Sequence, residues 1–366
     1  MEDYIYQYPN WPNFFWDNNR IISLLSEARN LQGRLTGKME SLGFELRDEA
    51  LLETLTQDVI KSSEIEGEIL NPESVRSSIA QRLGIAFAGI PTHERNVDGM
   101  VDIMIDATKN CFMPLTKDRL FDWHAALFPT GRNGMFKITV ADWRKDLRGK
   151  MQVVSGAAGR ETIHFQAPDA EMIDAEMSIF INWFNENQDL DLVIKSAIAH
   201  LWFVTLHPFQ DGNGRITRAL TDLLLARSDN STQRFHSMSA QIRIERKSYY
   251  NILEKTQKGG LDISDWILWF LNCLIKALKA SEITLNKVFT KSSFWKLHEH
   301  LNLNERQKKV LNILLKGFEG NLTSIKWAKI GKCSKDTAIR DINDLIEKAV
   351  LKKLEAGGRS TNYELV

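Results

Sequence analysis

The stretch "HPFQDGNGRITR", His207 to Arg218, gathers a histidine, an acid, two glycines, an asparagine and two arginines into twelve residues. Before it, "VIKSAIAHLWFVTLHPF" reads as a buried helix; after it, "RITRALTDLLLAR" has helical spacing of its apolar positions. The stretch therefore connects two helices. Pro208 ends the first, and Phe209 anchors the connector in the core. Gly212 and Gly214 can take positive φ, so that successive N–H groups converge on an anion. The N-terminus of the second helix adds unpaired donors and a positive dipole end.

Arg215 and Arg218 stand at i and i+3 in the first turns of that helix, and each can grip phosphate oxygens with two parallel hydrogen bonds. The run Gly212, Asn213, Gly214, Arg215, Ile216, Thr217 and Arg218 is thus a candidate cradle for an oligophosphate. It is not a Walker A loop, because no Gly-Lys-Ser/Thr is present. Asp211 would repel phosphate unless a hard cation lay between them. Mg²⁺, which takes one or two carboxylates plus phosphate oxygens, fits that place. His207 titrates near neutrality and can accept a proton from an attacking hydroxyl.

Outward from this stretch the chain is ordinary in bulk and helical in pattern. Its 366 residues suffice for two or three domains, and 43% are hydrophobic and 26% charged. Lys plus Arg equals Asp plus Glu at 47 each, so net charge singles out no polyanionic partner. Three scattered cysteines without a CxxC pair argue for reduced thiols, and the first residues lack the basic start and apolar run of a signal peptide. The most apolar window, "WILWFLNCLIKAL", is too short to span a bilayer, so the expectation is a soluble, cytoplasmic protein.

Few prolines and long runs at three- and four-residue spacing predict a mainly α fold, with helices over Asn19–Glu40 and Asp48–Glu68 and a loop at Pro91. One segment breaks the rhythm. "MQVVSGAAGRETIHFQAP" holds two β-prone runs, Met151–Val154 and Thr162–Phe165, around a Gly-rich turn, and reads as a β-hairpin.

The residues of the opening stretch resemble the signature of the Fic family, H-P-F-x-D/E-G-N-G-R-x-x-R, at every specified position. That resemblance implies a protein adenylyltransferase, which moves AMP from ATP to a Ser, Thr or Tyr hydroxyl of a target protein. It assigns His207 to deprotonating the hydroxyl, Asp211 to Mg²⁺, the Gly212–Gly214 backbone and Arg215 to the phosphates, and Arg218 to the γ-phosphate. The hairpin over 151–165 would be the flap that docks the target by strand addition. Downstream, "SYYNILEKTQKGG" resembles the lining of the family's adenine pocket, with Tyr249, Tyr250 and Gln257 as candidates; core packing of the tyrosines is the other reading.

"SSEIEGE", Ser62 to Glu68, resembles the family's inhibitory motif, [S/T]-x-x-x-E-[G/N], through Ser62, Glu66 and Gly67. The resemblance implies that Glu66 pairs with Arg218 and so denies the γ-phosphate its partner. A motif N-terminal to the core implies a class II member. Family members also dimerise, so a homodimer is expected on that ground alone.

After about Ala280 the character changes, and Lys and Arg outnumber Asp and Glu by 13 to 8 between Leu301 and Val366. The segment resembles a winged helix–turn–helix. Ser334 would cap its second helix, Lys335, Asp336, Thr337 and Arg340 would face a DNA groove, and Gly357–Gly358 would turn the wing. Asp336 and Asp341 oppose phosphate there.

The expected organisation is a helical N-terminal region over 1–115, a catalytic core over 116–280, and a linker helix with the winged helix over 281–366. The expected function is AMP transfer restrained by Glu66. Two alternatives stay open: AMP removal, and a DNA-binding regulator that uses the site as a nucleotide sensor.

Overall fold

The computed structural model of the chain describes residues 4–40, 44–85, 95–146, 149–156, 160, 162–187, 189–315, 317–318, 320–354 and 361–366. The loop at Pro91 and the turn at Gly357–Gly358 lie outside the described residues. The chain is mainly α and divides into two compact units, Met1–Glu282 and Ile283–Val366. Among the described residues, no helix is long and apolar enough to cross a membrane.

The first unit opens with a 3₁₀ turn (Ile5–Gln7), then α1 (Asn18–Glu40), α2 (Phe44–Ile65), α3 (Pro72–Leu83), α4 (Arg95–Lys109) and α5 (Lys117–Leu127). Two short antiparallel hairpins follow, β1 (Arg132–Asn133) with β2 (Phe136–Lys137) and β3 (Gln152–Ser155) with β4 (Thr162–Gln166). Then come α6 (Ile173–Asn185), α7 (Leu192–Leu206), α8 (Asn213–Ser228), α9 (Met238–Ile244), α10 (Arg246–Gln257) and, as far as Glu282, α11 (Ser264–Leu297).

Local chemistry sets the helix ends. Asn71 accepts from the N–H groups of Glu73 and Ser74 ahead of Pro72, and Gly84 closes the same helix with a left-handed φ of 69°. Thr116, Asp191 and Ser237 cap α5, α7 and α9 in the same way.

The core is built on α7, where every residue from Val193 to Leu206 is buried. Two of its polar groups find partners inside: Lys195 donates to the Glu186 carbonyl at 2.7 Å, and the Ala197 carbonyl accepts from the Trp266 indole at 2.7 Å. α8 packs along α7, and α2 packs against α3, α4, α8 and α9. The long α2 thereby brings its C-terminal end to the start of α8.

The expected hairpin is present, in the register Val153↔Phe165, Val154↔Ile163 and Ser155↔Thr162, with an irregularity between Val153 and Val154. Phe165 is buried under the edges of Tyr4 and Tyr6, while Val154 and Ile163 stay exposed.

In the second unit α12 (Glu305–Leu315), α13 (Ser324–Gly331) and α14 (Lys335–Glu347) precede an antiparallel pair, β5 (Leu351–Lys353) and β6 (Tyr363–Leu365). They surround a core that includes Val310, Leu311, Trp327, Ile342 and Leu345. Ser334 caps α14 through the Thr337 N–H at 3.2 Å, and Lys335, Asp336 and Arg340 are exposed. The expectation for Asp341 is corrected. Its carboxylate is buried and accepts from Arg306 Nη2 at 2.9 Å, Asn304 at 3.2 Å and the Trp327 indole at 3.2 Å. It is spent inside the unit and cannot oppose a phosphate at the surface.

Candidate active site

Six residues, His207 to Gly212, join α7 to α8, and nearly every polar group in this loop is fixed from within. His207 caps α7 in the left-handed region, at φ 49°, with its N–H still bonded to the Phe203 carbonyl at 3.0 Å. Asn213 closes the loop on itself: its side-chain oxygen accepts from the Phe209 N–H at 2.9 Å, and its amide donates to the Phe209 carbonyl at 2.7 Å. Asn213 thus acts on the loop with its side chain, leaving only its backbone for a ligand.

Arg144, upstream of the hairpin β3–β4, clamps the loop from outside. Its side chain is fully buried and donates to the His207 carbonyl at 2.8 Å, to the Pro168 carbonyl and to Asp146, and its own N–H bonds the Pro208 carbonyl at 2.8 Å.

His124, on α5, is a second support. Its Nε2–H donates to the Asp211 carbonyl at 3.1 Å, and its Nδ1 accepts from the Ala141 N–H at 3.2 Å. Both nitrogens are used only by the neutral ring, and burial lowers its pKa to about 4. Its ring stacks on Phe209 at 4.2 Å. No local pattern in the sequence singled out Arg144 or His124, because both work across long separations.

The imidazole of His207 is oriented for base chemistry. Its Nδ1 lies 3.1 Å from the Val204 carbonyl, and a carbonyl can only accept, so Nδ1 carries the proton. Nε2 of the neutral ring is then bare. Burial is the main cause of a pKa below the ordinary histidine value, opposed by the Val204 carbonyl and assisted by the charge of Arg144. Asp211 is half-buried. Its carboxylate is bonded by the Asn133 amide and the Gly212 N–H, and Arg215 Nη2 stands 3.7 Å from it.

Gly212 takes φ 83°, and a Cβ there would press on Leu127 and Phe128 at 3.0 Å. The first turn of α8 presents the N–H groups of Asn213, Gly214 and Arg215 without helical acceptors. A carboxylate already lies against this turn: a Cβ built on Gly214 would fall 2.1 Å from Glu66 Oε1. The same oxygen pairs with Arg218 Nη2 at 2.8 Å. Arg218 is buried, and it also donates to the Ser62 hydroxyl and carbonyl, both at 2.8 Å.

Gly67 explains the approach. It is the left-handed residue (φ 87°) that ends α2, with the Gly67 N–H on the Glu64 carbonyl at 3.1 Å and the Glu68 N–H on the Ser63 carbonyl at 3.0 Å. That bonding is a Schellman cap. It sets Glu66 and Glu68 on either side of the glycine. Glu68, not among the expected site residues, pairs with Arg215 Nη1 at 3.0 Å. Its signal was in "EGE", an acid on each flank of a capping glycine.

The cradle is narrower than expected. Ile216 and Thr217 have no exposed surface, and the Thr217 hydroxyl is spent on the Asn213 carbonyl at 2.7 Å. A helix turns its successive positions away from one another, so these two face the core while Arg215 and Arg218 meet the acids that follow α2.

Of the two readings left open for the tyrosines, Tyr249 takes the packing one. It is buried, with its hydroxyl 2.8 Å from His200 Nε2. The other nitrogen of His200 meets Thr221, whose own proton goes to the Thr217 carbonyl at 2.9 Å. Tyr250 is half-buried under the Arg246 guanidinium, 5.1 Å from its ring, and Gln257 is buried and donates to Thr205 at 3.2 Å.

A cavity of about 530 Å³ opens beside this arrangement, lined among others by Glu66, Glu68, Asn133, Asp211 and Arg215. Among the described residues, no three His, Cys, Asp or Glu side chains gather into a metal-binding group.

Comparison with known proteins places the same stretch. Residues 4–85 match a domain of unknown function (DUF4172), and residues 114–225 match the Fic/DOC family. A probable protein adenylyltransferase of Aquifex aeolicus is 28% identical over 97 residues, which are 26% of this chain and 28% of that one. The protein adenylyltransferase Fic of Culex quinquefasciatus is 26% identical over 237 residues, 62% of this chain and 41% of that one. The chain thus spans less than half the length of these curated relatives. In fold, the crystal structure of a Fic family protein from Desulfovibrio desulfuricans G20 aligns over 96% of this chain and 97% of its own, at 20% identity and a TM-score of 0.57. The twelve residues that decide the helix pair lie inside the stretch, 114–225, over which the chain matches the Fic/DOC family.

Proposed function

We propose that the chain transfers AMP from ATP to a Ser, Thr or Tyr hydroxyl of a partner protein, and that Glu66 restrains this reaction. One observation carries the reading: a carboxylate tied to a buried arginine lies on the N-terminus of α8, where an anion belongs, beside a histidine with a bare Nε2.

In the reaction the target oxygen attacks the α-phosphorus, the bond from that phosphorus to the bridging oxygen of the β-phosphate breaks, and pyrophosphate leaves. His207 Nε2 takes the hydroxyl proton. A base with a lowered pKa is unprotonated at neutral pH, so it is ready without prior activation. The N–H groups opening α8 and the Arg215 guanidinium take the phosphates, and fixed donors of this kind cost no reorganisation during the reaction.

A carboxylate beside a phosphate cradle suits Mg²⁺, and Asp211 would hold it; when bound, the ion would neutralise charge on the phosphates. The outer edges of the two-stranded hairpin β3–β4, with Val154 and Ile163 exposed, suit docking of an extended target segment.

The restraint follows from competition. With Glu66 on Arg218, a γ-phosphate meets an occupied partner and a like charge. Incubation of Glu66→Gly protein with cell lysate and ATP labelled at the α-phosphate tests the reading. Label above that of lysate alone is expected on protein, none above it with γ-labelled ATP, and none above it from Glu66→Gly/His207→Ala. Transfer that survives loss of His207 would refute the assignment.

A further inference from the structure

We propose that Glu68 is a second arm of the same restraint, holding Arg215 away from the phosphates while Glu66 holds Arg218. The inference rests on the nucleotide reading of the site but assigns a residue outside the motif that suggested it.

Its first support is the turn. The cap at Gly67 is one rigid unit, in which three consecutive N–H groups, of Glu66, Gly67 and Glu68, bond back to Ser63 or Glu64 at 3.0–3.1 Å. Two glutamates flanking a left-handed glycine are carried together onto one helix start. Glu66 reaches Arg218, and Glu68 reaches Arg215 one helical turn earlier. The carboxylate pattern matches the guanidinium pattern, one acid to each arginine of the cradle.

The second support is what the arginines lack. Among the described residues, Arg215 Nε and Arg218 Nη1 are buried N–H groups without a hydrogen-bond partner. Leaving such a donor unsatisfied is costly. Each carboxylate therefore satisfies only part of its arginine, and a triphosphate, richer in oxygens, can satisfy both. Arg215 also has acids on two sides, because Asp211 stands 3.7 Å from its Nη2 while Glu68 holds Nη1. Withdrawing Glu68 frees one face of Arg215 for phosphate and removes a negative charge from the cavity wall. Glu68 touches no reacting atom in this scheme and acts only through Arg215.

The test is calorimetric titration of MgATP into four proteins that share His207→Ala, so that no chemistry follows binding: the parent, Glu66→Gly, Glu68→Gln, and Glu66→Gly with Glu68→Gln. Glu68→Gln is expected to tighten MgATP by roughly fivefold in either Glu66 background, the size of one half-exposed charge pair. Unchanged or weaker binding overturns the proposal.

Simple loosening of the turn is separated by repeating the pair of measurements with Arg215→Gln present. The gain must then vanish, and a gain that persists overturns the proposal as well. With His207 restored in the Glu66→Gly background, Glu68→Gln should lower the KM for ATP and leave kcat nearly unchanged.

Binding without transfer in any variant would remove the AMP-transfer reading and leave the Glu68 assignment standing. Failure of even the doubly opened protein to bind MgATP would remove both.

Discussion

Two segments meet at the start of α8 and are held in opposite ways. The loop from His207 to Asn213 is fixed by buried, mostly neutral hydrogen bonds: Asn213 to Phe209 in both directions, His124 to the Asp211 carbonyl, and the fully buried Arg144 to the His207 carbonyl. The turn from Ile65 to Glu68 is fixed to α8 by two ion pairs whose carboxylates keep about a third of their surface in water, 33% for Glu66 and 32% for Glu68. The difference divides labour. Groups sealed from solvent cannot exchange partners without unfolding the loop, so the base and the anion cradle stay placed. Charges at the rim of a cavity exchange readily for another anion. Under the proposed function this is what the two segments need: a restraint must be removable, and the catalytic geometry must not be.

That contrast can be broken in graded steps. Arg144→Ala is expected to be the most damaging, lowering unfolding free energy by about 3–5 kcal/mol in a denaturant titration, because it leaves Asp146 unpaired and two carbonyls without donors. A loss below about 1 kcal/mol, the size of a surface pair, would mean that Arg144 does not hold the loop.

The body of α2 offers a pH test. Asp58, fully buried on α2, is pushed up to about 8 by burial and by the charge of Asp222, while Asp222 itself pairs with Arg234. A raised acid stabilises the fold below its unfolded value and loses that contribution as pH rises through its folded one. Stability should therefore fall between pH 3.8 and about 8 on this group's account. Asp58→Asn should flatten that decline by up to about 1.4 kcal/mol per pH unit, read from melts across the range. An unchanged slope would place the proton elsewhere.

At the tip of the same helix, Glu66→Gly should cost the unliganded protein about 1–2 kcal/mol, since Arg218 loses a partner, and saturating MgATP should restore it. Thermal melts with and without nucleotide check this, and a loss that nucleotide does not recover would detach Arg218 from phosphate binding. The smallest effect sharpens the comparison most. A Cβ at Gly67 meets nothing within 4 Å, so Gly67→Ala carries only the backbone cost of φ 87°, about 1 kcal/mol. Yet it should dislodge both glutamates and raise basal transfer. Unchanged transfer would mean the turn does not aim them.

The readable parts of this protein were those whose signal is local. The helix pair around "HPFQDGNGRITR", the two-stranded hairpin, the Ser334 cap and the meeting of Glu66 with Arg218 all rest on residues a few positions apart or on one motif answering another. Arg144, His124 and Asn133 were not readable, because each serves the loop from a distant part of the chain. Tyr249 and Asp341 were misleading for the same reason. A tyrosine beside a pocket motif and an acid on an amphipathic helix look available until packing buries them against His200 and Arg306.

By itself, then, the order of residues determined which chemical groups would meet at one helix start, because spacing and glycine backbone freedom act within a few residues. Which of them would remain accessible was decided only by tertiary structure. Burial sets whether a polar group is spent on the protein or kept for a ligand, and burial depends on everything packed around it. The second carboxylate, Glu68, belongs to both accounts: its position was written beside Gly67, and its partner appeared only when α2 was laid against α8.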